Sequence, residues 1–218
     1  MEPRVRSVNL AHPQPDPGGA ERVSGIDKRP VEALELFAPG PSYGDGPGVV
    51  GDTVGDVEHH GGAQKAVYAA AREELDHWAD ELGREMPDGV FGENLTTGGI
   101  DLRELVINQR VEVGSVVLEV SIPRQPCRTF GAWMGEPGWV RRWTARGCCG
   151  AYFRVLRPGR VAAGDVLRLG PAPDHGVTMA VAFAGAMGDL DASRALVEAA
   201  CLPEMYHQRH VEALARRG

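Results

Sequence analysis

Ser121-Ile122-Pro123-Arg124-Gln125-Pro126-Cys127-Arg128 follows an alternating apolar segment, Val111 to Val120. In that segment Val111, Val113, Ser115, Val117 and Glu119 fall on one face and Val116, Leu118 and Val120 on the other, the period of a strand. Two prolines end it at once, because proline lacks the donor a sheet ladder needs. The outcome is a cysteine held in a stiff turn, with arginines three residues before it and one after. A cationic neighbourhood lowers a thiol's pKa and makes it a better nucleophile or metal ligand; an idle cysteine beside solvated arginines is the competing reading.

Outward from Cys127 the charge is uneven. Between Ser121 and Arg160 stand eight arginines (124, 128, 141, 142, 146, 154, 157, 160) and one acid, Glu136. Guanidinium forks suit phosphate and carboxylate, so this run suggests an anion pocket around the cysteine, against the alternative of a merely basic surface. The whole chain of 218 residues is nevertheless acidic, with formal charge −7, which argues against a protein dedicated to nucleic acid. Cysteines 127, 148, 149 and 201 have neither zinc-like spacing nor a secretory disulfide pattern. No apolar run follows Met1-Glu2-Pro3-Arg4, and Val177 to Met187 is too short to span a bilayer, so a reduced, cytoplasmic protein without a membrane partner is expected.

Toward the N-terminus, Val5 to Leu10 reads as a strand, Ala11 to Ala20 as an exposed loop, and Val23 to Val31 as an irregular segment centred on Lys28. Pro39 to Gly48 is a Gly- and Pro-rich loop, and Gly51 to Gly62 carries three acids and His59-His60 beside Gly61-Gly62. The periodic Val67, Ala71, Leu75, Trp78 and Leu82 predict one helix over 63–82, ended by Gly83. Such a helix would aim its free N–H groups at whatever the His-Gly-Gly loop binds. Phe91 to Gly99 is a polar-rich segment in which Glu93 or Asn94 either orients a ligand or braces the loop backbone.

Leu105 to Val120 supplies one or two strands with a possible turn at Asn108-Gln109. Trp139 and Trp143, four apart, read as one packed helical face. Tyr152 to Leu156 and Val161 to Leu169, joined by Arg157-Pro158-Gly159-Arg160, read as strands pairing on each other. Short strands with Gly-rich connections indicate a mostly β, barrel-like domain with interspersed helices, residues 1–175. Thr178 to Met187, Ala192 to Cys201 and Pro203 to Arg216 read as three short helices, a C-terminal three-helix extension over 176–218 that also offers a homodimer surface. Cys201 reads as structural; Cys148-Cys149 are thiols without an assigned role.

Several of these blocks together resemble the MOSC domain, found at the C-terminus of molybdenum cofactor sulfurases. They are Gly51-Asp52, His59-His60-Gly61-Gly62, Lys65-Ala66-Val67-Tyr68, Phe91 to Thr97, Pro123 to Cys127, and Tyr152-Phe153-Arg154-Val155-Leu156 to Gly164-Asp165. Ser24 to Val31 and the helical tail resemble the stand-alone bacterial YiiM-like branch. The resemblance implies a molybdopterin-type molybdenum cofactor with Cys127 as molybdenum ligand or sulfur carrier. It implies reduction of N-hydroxylated compounds, including N-hydroxylated purine bases, with an external electron donor. Carried over by position, it makes Lys28, His60, Gly61, Gly62, Asn94 and Arg124 the cofactor lining and Glu93 a proton relay or brace. The alternative is a carrier that holds the cofactor, or a persulfide on Cys127, without turnover. A pyridoxal-phosphate desulfurase domain is not seen ahead of these blocks, so a full sulfurase is not expected. The chain departs from the family pattern at Ile107-Asn108-Gln109, where Ile-Gly-Asp is common, and at Ala151, where a tryptophan is usual.

Overall fold

The computed structural model describes residues 2–216; Met1 and the last two residues of the expected extension lie outside them. Eight strands form one mixed sheet. Its first strand, β1 (Arg4–Ala11), is followed by the small hairpin of β2 (Gln14–Pro15) and β3 (Val23–Ser24), then β4 (Lys28–Val31) and β5 (Ala33–Leu36). Next come β6 (Val67–Ala71), helix α1 (Arg72–Leu82) and β7 (Leu95–Gly98), then β8 (Arg110–Val113) and β9 (Val116–Val120). Helices α2 (Arg128–Met134) and α3 (Trp139–Arg146) precede β10 (Ala151–Arg157), β11 (Gly159–Ala162) and β12 (Arg168–Leu169). The tail is α4 (Met179–Ala186), α5 (Leu190–Ala199) and α6 (Glu204–Ala215), as the three apolar segments predict.

The large sheet runs β12-β8-β9-β10-β6-β7-β1-β4, and β5 pairs with β11 in a separate ribbon. All its pairs are antiparallel except β6–β7, which α1 connects as a crossover. The mostly β, helix-interspersed class is as expected, but the barrel is not closed: β12 and β4 are edges. Backbone bonds join the start of β1 to the segment before β12, such as Val5 N–H to Asp165 C=O and Leu167 N–H to Pro3 C=O.

Three expectations are corrected. The helix over 63–82 is instead a single 3₁₀ turn (Ala63–Lys65), strand β6 and then α1. Ala69-Ala70-Ala71 favours helix intrinsically, but these residues occupy the middle of the sheet, buried on both faces, and sheet packing overrides the local preference. The α1 N-terminus therefore does not follow the His-Gly-Gly loop, and Glu73 and Glu74 already occupy its first turn. The single strand over 111–120 is a hairpin turning at Gly114-Ser115, which restarts the alternation so that Val111, Val113, Val116, Leu118 and Val120 are all buried. Gly114 has φ 56°, and a Cβ there would lie 2.3 Å from the Arg160 carbonyl oxygen. Finally, residues 161–169 do not pair back on β10. Both edges of β10 are taken by β9 and β6, so β11 goes to β5 and β12 to β8.

The turn at Asn108 forms as read: Asn108 takes φ 68°, and Gln109 N–H donates to the Val106 carbonyl. Trp78, Phe91, Phe130, Trp139 and Trp143 pack ring against ring, with Trp78 and Trp139 centroids 4.5 Å apart. This cluster fixes α2 and α3 against α1 and so sets where Cys127 emerges. The tail helices share the same apolar core through Met179, Phe183, Leu196 and Leu202.

Candidate functional site

Cys127 sits where the β9 ladder gives out. Ser121 N–H donates to the Tyr152 carbonyl and Tyr152 N–H to that of Ile122; Pro123 and Pro126 then turn the chain away, and Cys127 caps α2. The half-buried cysteine lines a cavity of about 430 Å³ that gathers segments distant in sequence, including Lys28, Asp52, His60, Gly61, Lys65, Tyr68, Asn94, Arg124, Arg128, Tyr152 and Arg209.

Arg124 is buried, with its guanidinium 3.8 Å from the Phe130 ring centroid and 5.2 Å from that of Tyr68. Its Nη1 has no hydrogen-bond partner among the described residues. A buried, always-charged donor without a protein partner at a cavity wall suits an anionic group. Lys65, Arg128 and Arg209 add cations that have no carboxylate within 4.0 Å among the described residues, whereas Arg22 is paired with Asp16 and Asp56. Arg124→Met is therefore expected to weaken binding of inorganic phosphate about tenfold or more, read by titration calorimetry. Unchanged affinity would remove Arg124 from the anion site.

Lys28 lines the cavity, but its charge is already paired. Its Nζ donates to Asp52 Oδ1 at 2.6 Å, both side chains being buried, and Asn94 Nδ2 donates to Asp52 Oδ2 at 2.8 Å. Asn94 also ties the strands together: its Oδ1 accepts from Tyr68 N–H, and its backbone N–H donates to the Tyr68 carbonyl. Burial pushes the Lys28 pKa down, against the pull of Asp52 upward. Asp52 thus turns the buried lysine into a wall strut and leaves anion binding to other cations.

Burial, reinforced by Lys65 and Arg124, drives the His60 pKa down to about 3, so its imidazole is neutral at pH 7. Burial and the Arg209 charge lower Lys65 to about 8, so it remains mostly protonated there. The Lys65 ammonium donates to the His59 carbonyl and lies 5.1 and 5.6 Å from the Tyr43 and Tyr152 ring centroids. Gly61 lines the cavity; Gly62 lies just behind it with φ 74°, where a Cβ would fall 2.1 Å from the Ser42 carbonyl oxygen. Backbone bonds from Gly62 to Gly46 and from Ala63 to Gly40 dock the 39–48 loop there.

Glu93 is fully buried and does not line the cavity. Its carboxyl accepts from the N–H groups of Gly89 and Phe91 and from the Thr96 hydroxyl, the geometry of a brace. Burial outweighs those bonds and raises its pKa to about 7 from 4.5. A raised carboxyl pKa means the folded state binds the proton more tightly, so stability falls as pH rises from about 4.5 to 7. The Tm advantage of the parent over Glu93→Gln is accordingly expected to shrink across that interval in melting curves; a constant difference would contradict a buried proton at Glu93.

Of the eight arginines from 124 to 160, only Arg124 and Arg128 reach the cavity. Arg142 pairs with Glu81, Arg146 with Glu74, Arg154 with Glu119 and Arg160 with Glu32, so half of the run is spent on ion pairs. Asp52, Lys65 and Arg209 were not assigned roles from the sequence. The first two lie inside recognised motifs, but Arg209 comes from the last helix and only the tertiary fold reveals it. Thr129 and Arg22 both bond to Asp16, the buried residue in the otherwise largely exposed 11–20 segment, and tie it to the start of α2.

Among the described residues no group of three or more His, Cys, Asp or Glu side chains is placed to cage a metal ion. The donor set suits an anionic group that brings its own metal ligands and takes one thiolate from the chain. No helix of the described residues is long and apolar enough to cross a membrane.

Residues 56–168 match the MOSC domain. The uncharacterized protein YflK of Bacillus subtilis is 34% identical over 176 residues, covering 80% of this chain and 76% of that protein. A protein named Reductase from Gibberella moniliformis is 33% identical over 139 residues, 60% of this chain but 24% of its own length. In fold, the crystal structure of YiiM from Geobacillus stearothermophilus superposes with a TM-score of 0.77 at 23% identity, covering 97% of this chain and 99% of that one.

Proposed function

Since the chain belongs to the MOSC domain family, which is associated with the molybdenum cofactor, we propose that its cationic cavity holds a molybdopterin-type cofactor and that the protein reduces N-hydroxylated compounds, N-hydroxylated purine bases among them. The observation that carries this reading is the buried, unpartnered Arg124 Nη1 in a cavity shared with Cys127. Bound there, the cofactor supplies a redox-active molybdenum.

The chain's own groups do the rest. Cys127 offers a soft thiolate ligand to the metal. Arg124, Arg128 and Lys65 hold the anionic end, and neutral His60 is free to hydrogen-bond without adding charge. The backbone at Gly61-Gly62 forms the adjoining wall, and Asn94, fixed by Asp52 and Tyr68, completes the lining. Lys65 keeps a proton inside the cavity at pH 7. Conversion of N–OH to N–H consumes an electron pair and protons and releases water, so an external electron donor is part of the proposal. The name carried by the Gibberella moniliformis relative agrees with reductive chemistry.

The test is to purify the protein from a host that makes the cofactor, measure molybdenum and pterin per chain, and assay hydroxylaminopurine with a supplied reductant. Near-stoichiometric metal with formation of the aminopurine is expected. Full cofactor content without turnover would leave a carrier that uses Cys127, and negligible content after reconstitution would overturn both readings.

A further inference from the structure

Helix α6 brings Arg209 to the cavity, yet it is thinly attached to the rest of the molecule. Among the described residues Tyr206 is the one member of α6 in the apolar core, whereas α4 contributes Met179, Ala182 and Phe183, and α5 Leu196. The buried residues of α6 are Tyr206 and His210, and each is held by a polar contact. The Tyr206 hydroxyl shares a hydrogen bond with that of Tyr43, the rings meeting edge to face with centroids 6.4 Å apart. His210 Nδ1 lies 3.1 Å from Ser193 Oγ on α5. A void of about 200 Å³ lies between α6 and Ile122-Pro123, the segment leading to Cys127. A helix seated over such a gap forgoes dispersion contacts, and few buried apolar contacts mean a low free energy of local opening.

The attachment is firm only up to the start of the helix. Cys201 and Leu202 are buried, and the Cys201 carbonyl accepts from Asn108 Nδ2 at 2.8 Å. Ala200 takes the left-handed angle φ 46° and breaks the chain away from α5. Pro203 then begins α6, so a swing of the helix starts there.

Arg209 stacks on the Tyr206 ring, 5.0 Å from its centroid, and has no carboxylate within 4.0 Å among the described residues. Tyr43, on the 39–48 loop, lines the same cavity. An anion in the cavity meets the Arg209 charge only while α6 is down. That contact supplies the differential affinity by which a ligand shifts a conformational equilibrium.

We propose that α6 is a hinged cover, latched by the Tyr43–Tyr206 pair and drawn down by Arg209 onto a bound anion, and that it lifts about Pro203 to let the cofactor in. The inference rests on the cofactor reading of the cavity and adds the route of loading.

Amide hydrogen exchange on the full-length protein, read peptide by peptide by mass spectrometry, tests it. In the parent, α6 is expected to exchange as one unit at least about tenfold faster than α4 and α5. Tyr43→Phe and Tyr206→Phe remove the same hydrogen bond from opposite sides, and each should speed α6 about fivefold while leaving the sheet unchanged. Saturating inorganic phosphate should slow α6 in the parent and do so less in Arg209→Gln. Exchange of α6 at the rate of α4 and α5, or graded inward from residue 215 as simple fraying, overturns the proposal. So does an α6 indifferent to both phenylalanine variants or to phosphate. A cover that behaves as expected on a protein that takes up no molybdenum would stand while the cofactor reading falls. Full molybdenum content with an α6 that never opens apart from α5 would do the reverse.

Discussion

Replacing Asp52 with leucine is expected to destabilise the protein by about 3–5 kcal/mol, because breaking a buried ion pair strands the other charge. Lys28 and Asp52 are both buried, and the carboxylate also receives the Asn94 amide and the Ala11 N–H. The pH dependence follows from the lysine. Burial already lowers its pKa in the folded state from 10.5, so the folded form resists the proton that the unfolded form holds. Without Asp52 that resistance grows, and the deficit should be greatest at neutral pH and shrink as pH rises toward 10.5. Urea denaturation followed by tryptophan fluorescence measures it. Adding Lys28→Met should recover most of the loss, since an apolar pair costs no charge burial. A single variant within ~1 kcal/mol of the parent at pH 7 would mean that Lys28 carries no buried charge to strand.

The second large effect is at Cys127. Mutating a mere partner of a metal ligand costs about 10–100-fold in metal affinity, so Cys127→Ala, which removes the proposed ligand itself, should exceed that loss. Molybdenum content after gel filtration and the thiolate-to-metal absorption are the readouts. Cys148→Ala is the control: Cys148 lies in a different depression beside Arg103 and Arg146, and burial raises its thiol pKa to about 11. Equal metal retention by parent and Cys127→Ala would show that the pterin alone holds the metal.

Local signals fixed much of the architecture. The tail helices were legible because each pairs a clean apolar segment with a break, Gly188 or Leu202-Pro203. The Asn108 turn was legible because that residue type tolerates its backbone angle. The 63–71 stretch was not, because alanine-rich sequence favours helix in isolation and becomes a strand only when both faces are covered. The hairpin at Gly114 was not legible because valines flank the turn on both sides, so the shift in phase at Gly114-Ser115 hides in one apolar run.

At the site, motif positions placed Cys127, His60, Gly61, Asn94 and Arg124 around one cavity, while charge counting misjudged the arginines. An arginine's use depends on which acid the fold brings near it, and Glu74, Glu81 and Glu119 are supplied by α1 and β9. For the same reason the role of Lys28 depends on Asp52, which the fold sets beside it.

The strand order also governs when the protein can mature. During vectorial synthesis β1 can pair early with β4, but its other edge waits for β7, and β7 needs the crossover through α1. The bonds from Val5 to residues 164–165 close later still, and Arg209 of α6 joins the cavity after them. Pairings this distant in sequence are slow to nucleate and leave apolar edges uncovered meanwhile. The cavity is therefore assembled only after α6 has been made, so any cofactor must be delivered after that segment has emerged.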